Sequence, residues 1–149
     1  MDETAGRISE SAARAAGDLR VVFGRLRRRL RELQEPGDLT PSQMSVLSRL
    51  GKEGPASASA LAAAERVRPQ SVAATLGALE ERGLIARRPD PDDGRRQLIS
   101  LSGPGRERLE DYRQAREEWL ARSLQDRCTE AERHTVVEAM AVLERLTRP

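Results

Sequence analysis

The sequence predicts a mainly α-helical chain carrying one small β-hairpin, and three observations lead there. Apolar residues recur at intervals of three and four through most of its 149 residues, the spacing that lines one face of a helix. Thr-x-x-Gln and Thr-x-x-Glu capping boxes, with Pro and Gly at the breaks, mark where helices begin and end. One pair of short β-prone runs brackets Pro-Asp-Pro-Asp-Asp-Gly, a stretch of turn-forming residues.

The first helix is carried by Leu19, Val22, Phe23, Leu26, Leu30 and Leu33, which fall on one face, and Pro36-Gly37 is expected to end it. Such a helix at a chain end needs its apolar stripe covered, by this chain or by a second copy. The second helix opens with Thr40 and Gln43 as a capping box, Pro41 at the first helical position, and Leu39 and Met44 as a hydrophobic staple. Met44, Leu47 and Leu50 form its apolar face, with Gly51 as the expected end. A short alanine-rich helix follows Gly54-Pro55, from Ser57 or Ser59 to Glu65, anchored by Leu61. Pro69 opens the next helix, with Val72, Leu76 and Leu79 inward; Gly83 suits a left-handed cap and Leu84 its hydrophobic contact. The hairpin pairs Leu84–Arg88 with Gln97–Ser102. Two helices finish the chain. One starts near Ser102, at the entrance Gly103-Pro104-Gly105, and carries Leu109, Tyr112, Trp119, Leu120 and Leu124. The other is capped by Thr129 with Glu132 and carries Val136, Met140, Leu143 and Leu146.

Composition narrows the function. One histidine, His134, and one cysteine, Cys128, are too few for a His-based catalytic centre, a zinc module or a disulfide framework. Three aromatic residues, Phe23, Tyr112 and Trp119, are too few for a base-stacking sheet. No apolar run approaches the roughly 20 residues of a membrane span, and the N-terminus has no signal-peptide core, so the cytoplasm is the expected setting. The carboxylates fall mainly in salt-bridge patterns on exposed faces, so an enzyme, a cofactor and a metal site are not expected. The net charge of +2 hides an uneven distribution: residues 1–18 carry −2, 19–39 carry +3, 40–102 carry +2 and 103–149 carry −1. All the basic residues but Lys52 are Arg. Codon composition alone can produce that count, so the placement of particular arginines carries the argument.

With Val72, Leu76 and Leu79 inward, Gln70, Ser71, Ala74 and Thr75 face outward near the N-terminal half of their helix, and Arg68 stands just before it. Gln can bond an adenine edge, Thr can touch a thymine methyl, and N-terminal amides can hold phosphate. On an isolated helix this face would read as ordinary solvated surface. Here the preceding short helix, the Gly83 stop and a hairpin carrying Arg87, Arg88, Arg95 and Arg96 make it part of a winged helix-turn-helix lobe. In that architecture the last helix reads the major groove and the hairpin reaches beside it. The expected partner is double-stranded DNA.

Arg68-Pro69-Gln70-Ser71-Val72, the run Leu79-Glu80-Glu81-Arg82-Gly83-Leu84-Ile85 and, most specifically, the wing Asp90-Pro91-Asp92-Asp93-Gly94-Arg95-Arg96-Gln97-Leu98-Ile99-Ser100-Leu101-Ser102 resemble the MarR family of bacterial transcriptional regulators. The resemblance covers nearly the whole chain. It implies a homodimer in which residues 1–37 form an N-terminal dimerisation helix, 38–102 the winged DNA-binding lobe, and 103–149 the C-terminal dimerisation helices. It also implies repression at a pseudo-palindromic operator and release by a small aromatic or acidic effector bound between dimer helices and lobes. Phe23, Met44 and Trp119 are candidates to line that pocket, and each also reads as plain core. Asp93 and Arg95 match the family's wing Asp-x-Arg pair, in which the carboxylate can hold the guanidinium at the hairpin tip for a narrow minor groove; Arg96 stands beside them. Two departures matter: Arg68 replaces the usual Ser or Thr, so the helix lacks a capping side chain, and Ala74 stands where Arg is frequent. The DNA-binding set is then Arg68, Pro69, Gln70, Ser71, Ala74, Thr75, Asp93, Arg95 and Arg96.

The rival reading is a helical homodimeric protein-interaction module without specific DNA binding; Arg95 and the polar helix face argue against it. The cluster Arg25–Arg31 reads as the solvated face of the first helix, Cys128 as structural, and His134 as a surface residue.

Overall fold

A computed structural model describes residues 7–148; Asp2 and Glu3 of the acidic N-terminal segment lie outside the described residues. The chain divides into two units, Met1–Asp38 and Leu39–Pro149.

The first unit holds α1 (Glu10–Arg31), capped by Ser9, whose hydroxyl oxygen accepts the N–H of Ala12 at 3.1 Å. The helix stops earlier than Pro36-Gly37. Leu33 and Gln34 donate to the carbonyls of Leu30 and Arg31, three residues back, which tightens the last turn and ends the α-helical ladder. Pro36-Gly37 belongs to the following turn, with Gly37 at φ 89°. No side chain of α1 is fully buried, and Val22 and Phe23 are 57% and 47% exposed.

The second unit runs α2 (Pro41–Glu53), β1 (Ala56–Ser57), α3 (Ala58–Glu65), α4 (Pro69–Glu81), β2 (Ile85–Pro89), β3 (Gln97–Leu101), α5 (Gly103–Arg127) and α6 (Glu130–Glu144), then a 3₁₀ turn over Arg145–Thr147. Both capping boxes form, with Thr40 and Gln43 closing α2 and Thr129 and Glu132 closing α6. Ser57, not Ser59, caps α3. α2 runs past Gly51 to a cap at Gly54. A Cβ at Gly51 would lie 2.7 Å from Leu109 Cδ2, so that glycine makes room for α5 and does not break the helix.

Strand β1 adds to the expected hairpin. It pairs antiparallel with β3, Ala56 opposite Ile99, and β3 pairs with β2 from Ile85 opposite Leu101 to Pro89 opposite Gln97, giving the order β1-β3-β2. β2 begins at Ile85 because Leu84 still serves α4. Its N–H bonds the Leu79 carbonyl at 3.0 Å and that of Gly83, at φ 69°, bonds Glu80 at 2.9 Å, the paired bonds of a Schellman cap.

Leu47, Leu61, Leu76, Leu79 and Ile99 are wholly buried, joining α2, α3 and α4 to the sheet, and Leu109 brings α5 onto the same core. Each such side chain contributes roughly 1.5–3 kcal/mol, and together they hold α4 at a defined angle to the hairpin. A polar joint sets where α5 departs. The Ser102 hydroxyl donates to the Gly83 carbonyl at 2.6 Å and accepts the Gly105 N–H at 3.0 Å, while the Ser102 N–H donates to Leu84 at 3.1 Å. Gly105 sits so close that a Cβ would lie 2.0 Å from the Leu84 carbonyl oxygen.

Candidate nucleic-acid interface

The N-terminus of α4 is built with few side chains in the way. Arg68 is its N-cap residue in extended conformation and makes no side-chain capping bond, and Pro69 occupies the first turn. Among the described residues no N-cap side chain takes the first amides, and the Ser71 N–H bonds the Arg68 carbonyl at 2.9 Å. Gln70, Ser71, Ala73 and Ala74 are exposed, against Val72, Leu76 and Leu79 buried beneath them. Thr75 is half-buried and its hydroxyl donates to the Ser71 carbonyl at 3.0 Å, so its oxygen is engaged within the helix and its methyl has no polar task.

The turn that delivers α4 is anchored from behind. Glu65, at the end of α3, accepts the Ser45 hydroxyl at 2.6 Å and Arg49 Nε at 2.7 Å, and Arg49 also reaches Glu53 at 2.9 Å. These residues were missed in the sequence because partners sixteen and twenty positions apart leave no local spacing signal. Burial pushes the Glu65 carboxyl up, but the Ser45 hydroxyl and Arg49 outweigh it and hold it below the usual carboxylate range. Arg66 then makes the reversal at φ 55°.

The wing tip departs from the expected pairing. Asp93 does hold Arg95, but through the backbone: its Oδ1 accepts the Arg95 N–H at 3.1 Å. The guanidinium taken by Asp93 belongs to Arg96, whose Nε lies 3.6 Å from Asp93 Oδ2 and whose Nη2 lies 3.6 Å from Asp90 Oδ2. Asp93 divides its two oxygens, Oδ1 closing the turn on the amide two residues ahead and Oδ2 facing the Arg96 guanidinium. The Arg95 side chain is exposed and has no ion pair among the described residues. Arg87 on β2 pairs with Glu80 on α4 at 2.8 Å, tying the wing to the helix. Arg87, Arg95 and Arg96 line one shallow groove with Ser57 and Ser59 at the start of α3.

The three effector candidates stand on separate elements. Met44 is a core residue of the second unit, 5% exposed, Trp119 is half-buried on α5, and Phe23 belongs to α1 of the first unit. Cys128 is half-buried at the end of α5, and its carbonyl accepts from Arg133. His134 is exposed beside Glu130 at 3.1 Å. Among the described residues no cluster of His, Cys, Asp or Glu is arranged to hold a metal, and no helix is long and apolar enough to cross a membrane.

A three-helix cluster presenting the exposed N-terminal turn of its last helix, with an arginine-tipped hairpin tied beside it, defines a winged helix-turn-helix DNA-binding protein. The comparisons agree. The MarR family model matches residues 39–96. An HTH-type transcriptional regulator of Mycobacterium bovis is 42% identical over 115 residues, 77% of this chain and 80% of that relative. The HTH-type transcriptional repressor MdtR of Bacillus subtilis is 31% identical over 106 residues, 71% of this chain and 68% of MdtR. Among solved structures, a transcriptional regulator from Pseudomonas aeruginosa superposes with a TM-score of 0.82 at 37% identity, covering 95% of this chain and 99% of that one. A MepR variant of S. aureus bound to an oligodeoxyribonucleotide shares the fold, with a TM-score of 0.67 at 20% identity over 90% of this chain and 98% of that one. The chain belongs to the MarR family and is a DNA-binding transcriptional regulator, not an enzyme.

Proposed function

We propose that this protein represses transcription as a homodimer. Each winged lobe, residues 38–102, lays α4 in a major groove and its hairpin tip in a flanking minor groove, and the helices of residues 1–37 and 103–149 join the two copies. The observation that carries the reading is the division of labour at the wing: Asp90, Asp93 and Arg96 are occupied with one another, and Arg95 is left exposed beside them. An arginine with no ion pair to break is suited to the strong negative potential of a narrow minor groove. On α4, the small side chains Ser71, Ala73 and Ala74 allow a close approach to base edges, Gln70 can bond adenine, and the first amides can take a phosphate. Arg68 stands at that same end as the N-cap residue, from which a side chain of this length could take a phosphate or a base edge.

Homodimer formation is supported by Val137, Met140 and Val142 on α6 and by Leu146, which are 66%, 47%, 52% and 75% exposed in a single chain. Apolar side chains left exposed in this number at one end of a chain are what an interaction site would cover. Two-fold symmetry then calls for a pseudo-palindromic operator with half-sites about 10–10.5 base pairs apart, or a multiple. Repression is supported by the name of the relative MdtR, and duplex binding by the oligonucleotide complex of MepR. Action on DNA sets the protein in the cytoplasm. A small aromatic or acidic effector would release the operator by favouring a lobe spacing that misfits it.

The test starts from duplex sites selected out of random DNA with the purified protein. Arg95→Ala is expected to weaken binding to the selected site about tenfold or more and to reduce the salt slope by about one. Fluorescence anisotropy across a salt series reads both. Unchanged affinity would overturn the role of the wing.

A further inference from the structure

We propose that Asp90 is a positioning residue of the DNA interface: paired with Arg96, it buckles the hairpin tip so that Arg96 is held within the turn and Arg95 is presented to DNA. The inference rests on the reading of Arg95 as the wing's DNA contact and goes beyond it by assigning the two adjacent arginines different tasks.

Their neighbours separate them. Asp90 is the first residue after β2, and its side chain is only 10% exposed. Among the described residues no other charged side chain falls in the buried class. Burying a carboxylate is costly unless it is partnered, and each oxygen of Asp90 has a partner. Its N–H donates to the Arg96 carbonyl at 2.9 Å, its Oδ1 accepts the Asp92 N–H at 2.9 Å, and its Oδ2 faces Arg96 Nη2 at 3.6 Å. Asp93 closes the other side: its carbonyl accepts the Arg96 N–H at 3.0 Å and its carboxylate lies 3.6 Å from Arg96 Nε. Arg96 is thus held by backbone and side chain from both ends of the turn. Arg95 is held by its backbone N–H and keeps an exposed guanidinium. Pro89 and Pro91 flank Asp90, which stiffens the backbone from which the buckle hangs.

The direction of the effect distinguishes positioning from plain electrostatics. Near a polyanion, removing a carboxylate strengthens binding by charge alone. A carboxylate that aims Arg95 must weaken binding when it is removed. Asp90→Asn keeps an oxygen for the Asp92 N–H and deletes only the charge that faces Arg96.

The experiment uses the full-length protein and a selected duplex, with wild type, Asp90→Asn, Arg96→Gln, Arg95→Ala and the Arg95→Ala combinations titrated by anisotropy at several salt concentrations. Asp90→Asn is expected to weaken binding about three- to tenfold with an unchanged salt slope, and to have no further effect once Arg95 is gone. General destabilisation of the lobe cannot produce that dependence on Arg95. Arg96→Gln is expected to behave in the same way. The proposal is overturned if Asp90→Asn leaves affinity unchanged or tightens it while Arg95→Ala weakens it. A cost that is the same with and without Arg95 overturns it too. If Asp90→Asn fails to fold, Arg96→Gln decides: silence in the Arg95→Ala background supports positioning, and its own loss of about one in salt slope assigns it a phosphate instead. Failure of the wing reading itself gives a different result, Arg95→Ala binding as wild type.

Discussion

Glu65 shows how a single side chain governs the placement of a helix it does not belong to. Its carboxylate, 14% exposed, receives the Ser45 hydroxyl and the Arg49 guanidinium and so pins α3 against α2 directly before the turn into α4. Burial alone would raise its pKa, and the two donors reverse that, leaving the folded value below the ordinary 4.5. A carboxylate with a depressed folded pKa stabilises the fold above the unfolded pKa. That contribution is lost as pH falls from about 4.5 through the folded value. Glu65→Gln is therefore expected to lower the thermal midpoint by a few degrees at neutral pH, with the gap to wild type closing below about pH 4.5. Circular-dichroism melts between pH 7 and pH 3 measure this, and a gap that stays constant into acid would rule out the ion pair as the source.

At the scale of elements, the turn between α3 and α4 carries a cost. Arg66 caps α3 in the left-handed region, φ 55° and ψ 42°, where its N–H bonds Ala63 at 3.2 Å and that of Val67 bonds Ala62 at 3.1 Å. Left-handed backbone costs an L-residue about 1–2 kcal/mol, and glycine avoids that while losing about 0.5–1 kcal/mol of backbone entropy. Arg66→Gly is accordingly expected to stabilise the lobe by up to about 1 kcal/mol in urea unfolding; a clear loss would show that the arginine side chain stabilises the turn. The sequence announces elements that carry their own chemistry. Thr40-Pro41, Gly83-Leu84 and Thr129 each contain the donors, acceptors or backbone freedom that their caps use. It is silent where a distant partner decides. β1 exists because β3 offers it an edge at Ile99 and Leu98, and α2 passes through Gly51 because Leu109 needs the space. The candidate site divides in the same way. The outward face of α4 follows from helical periodicity, whereas the capture of Arg96 by Asp90 and Asp93 appears only once the hairpin is closed.

For the whole molecule, the decisive surface is the C-terminal one. α6 buries none of its residues fully within a single chain, and Val136 and Met140, one turn apart, are 37% and 47% exposed, with Leu143 next on the same stripe. An amphipathic helix takes most of its stability from packing that stripe, so its cover in the proposed assembly is a second copy of the chain. Binding to a two-fold operator depends on the same contact, because tethering two lobes makes the second half-site an intramolecular event worth about 10²–10⁴ in affinity. Met140→Glu places a charge in the middle of that stripe without touching α4 or the wing. The wild-type protein is expected to sediment as a dimer and the variant as a monomer at micromolar concentration, with operator affinity reduced about a hundredfold or more. The variant should keep weak, salt-sensitive binding, since its lobe is intact. Sedimentation velocity and anisotropy on one preparation give both readings. A wild-type monomer would overturn the homodimer, and a variant that stays dimeric with full affinity would move the interface away from α6.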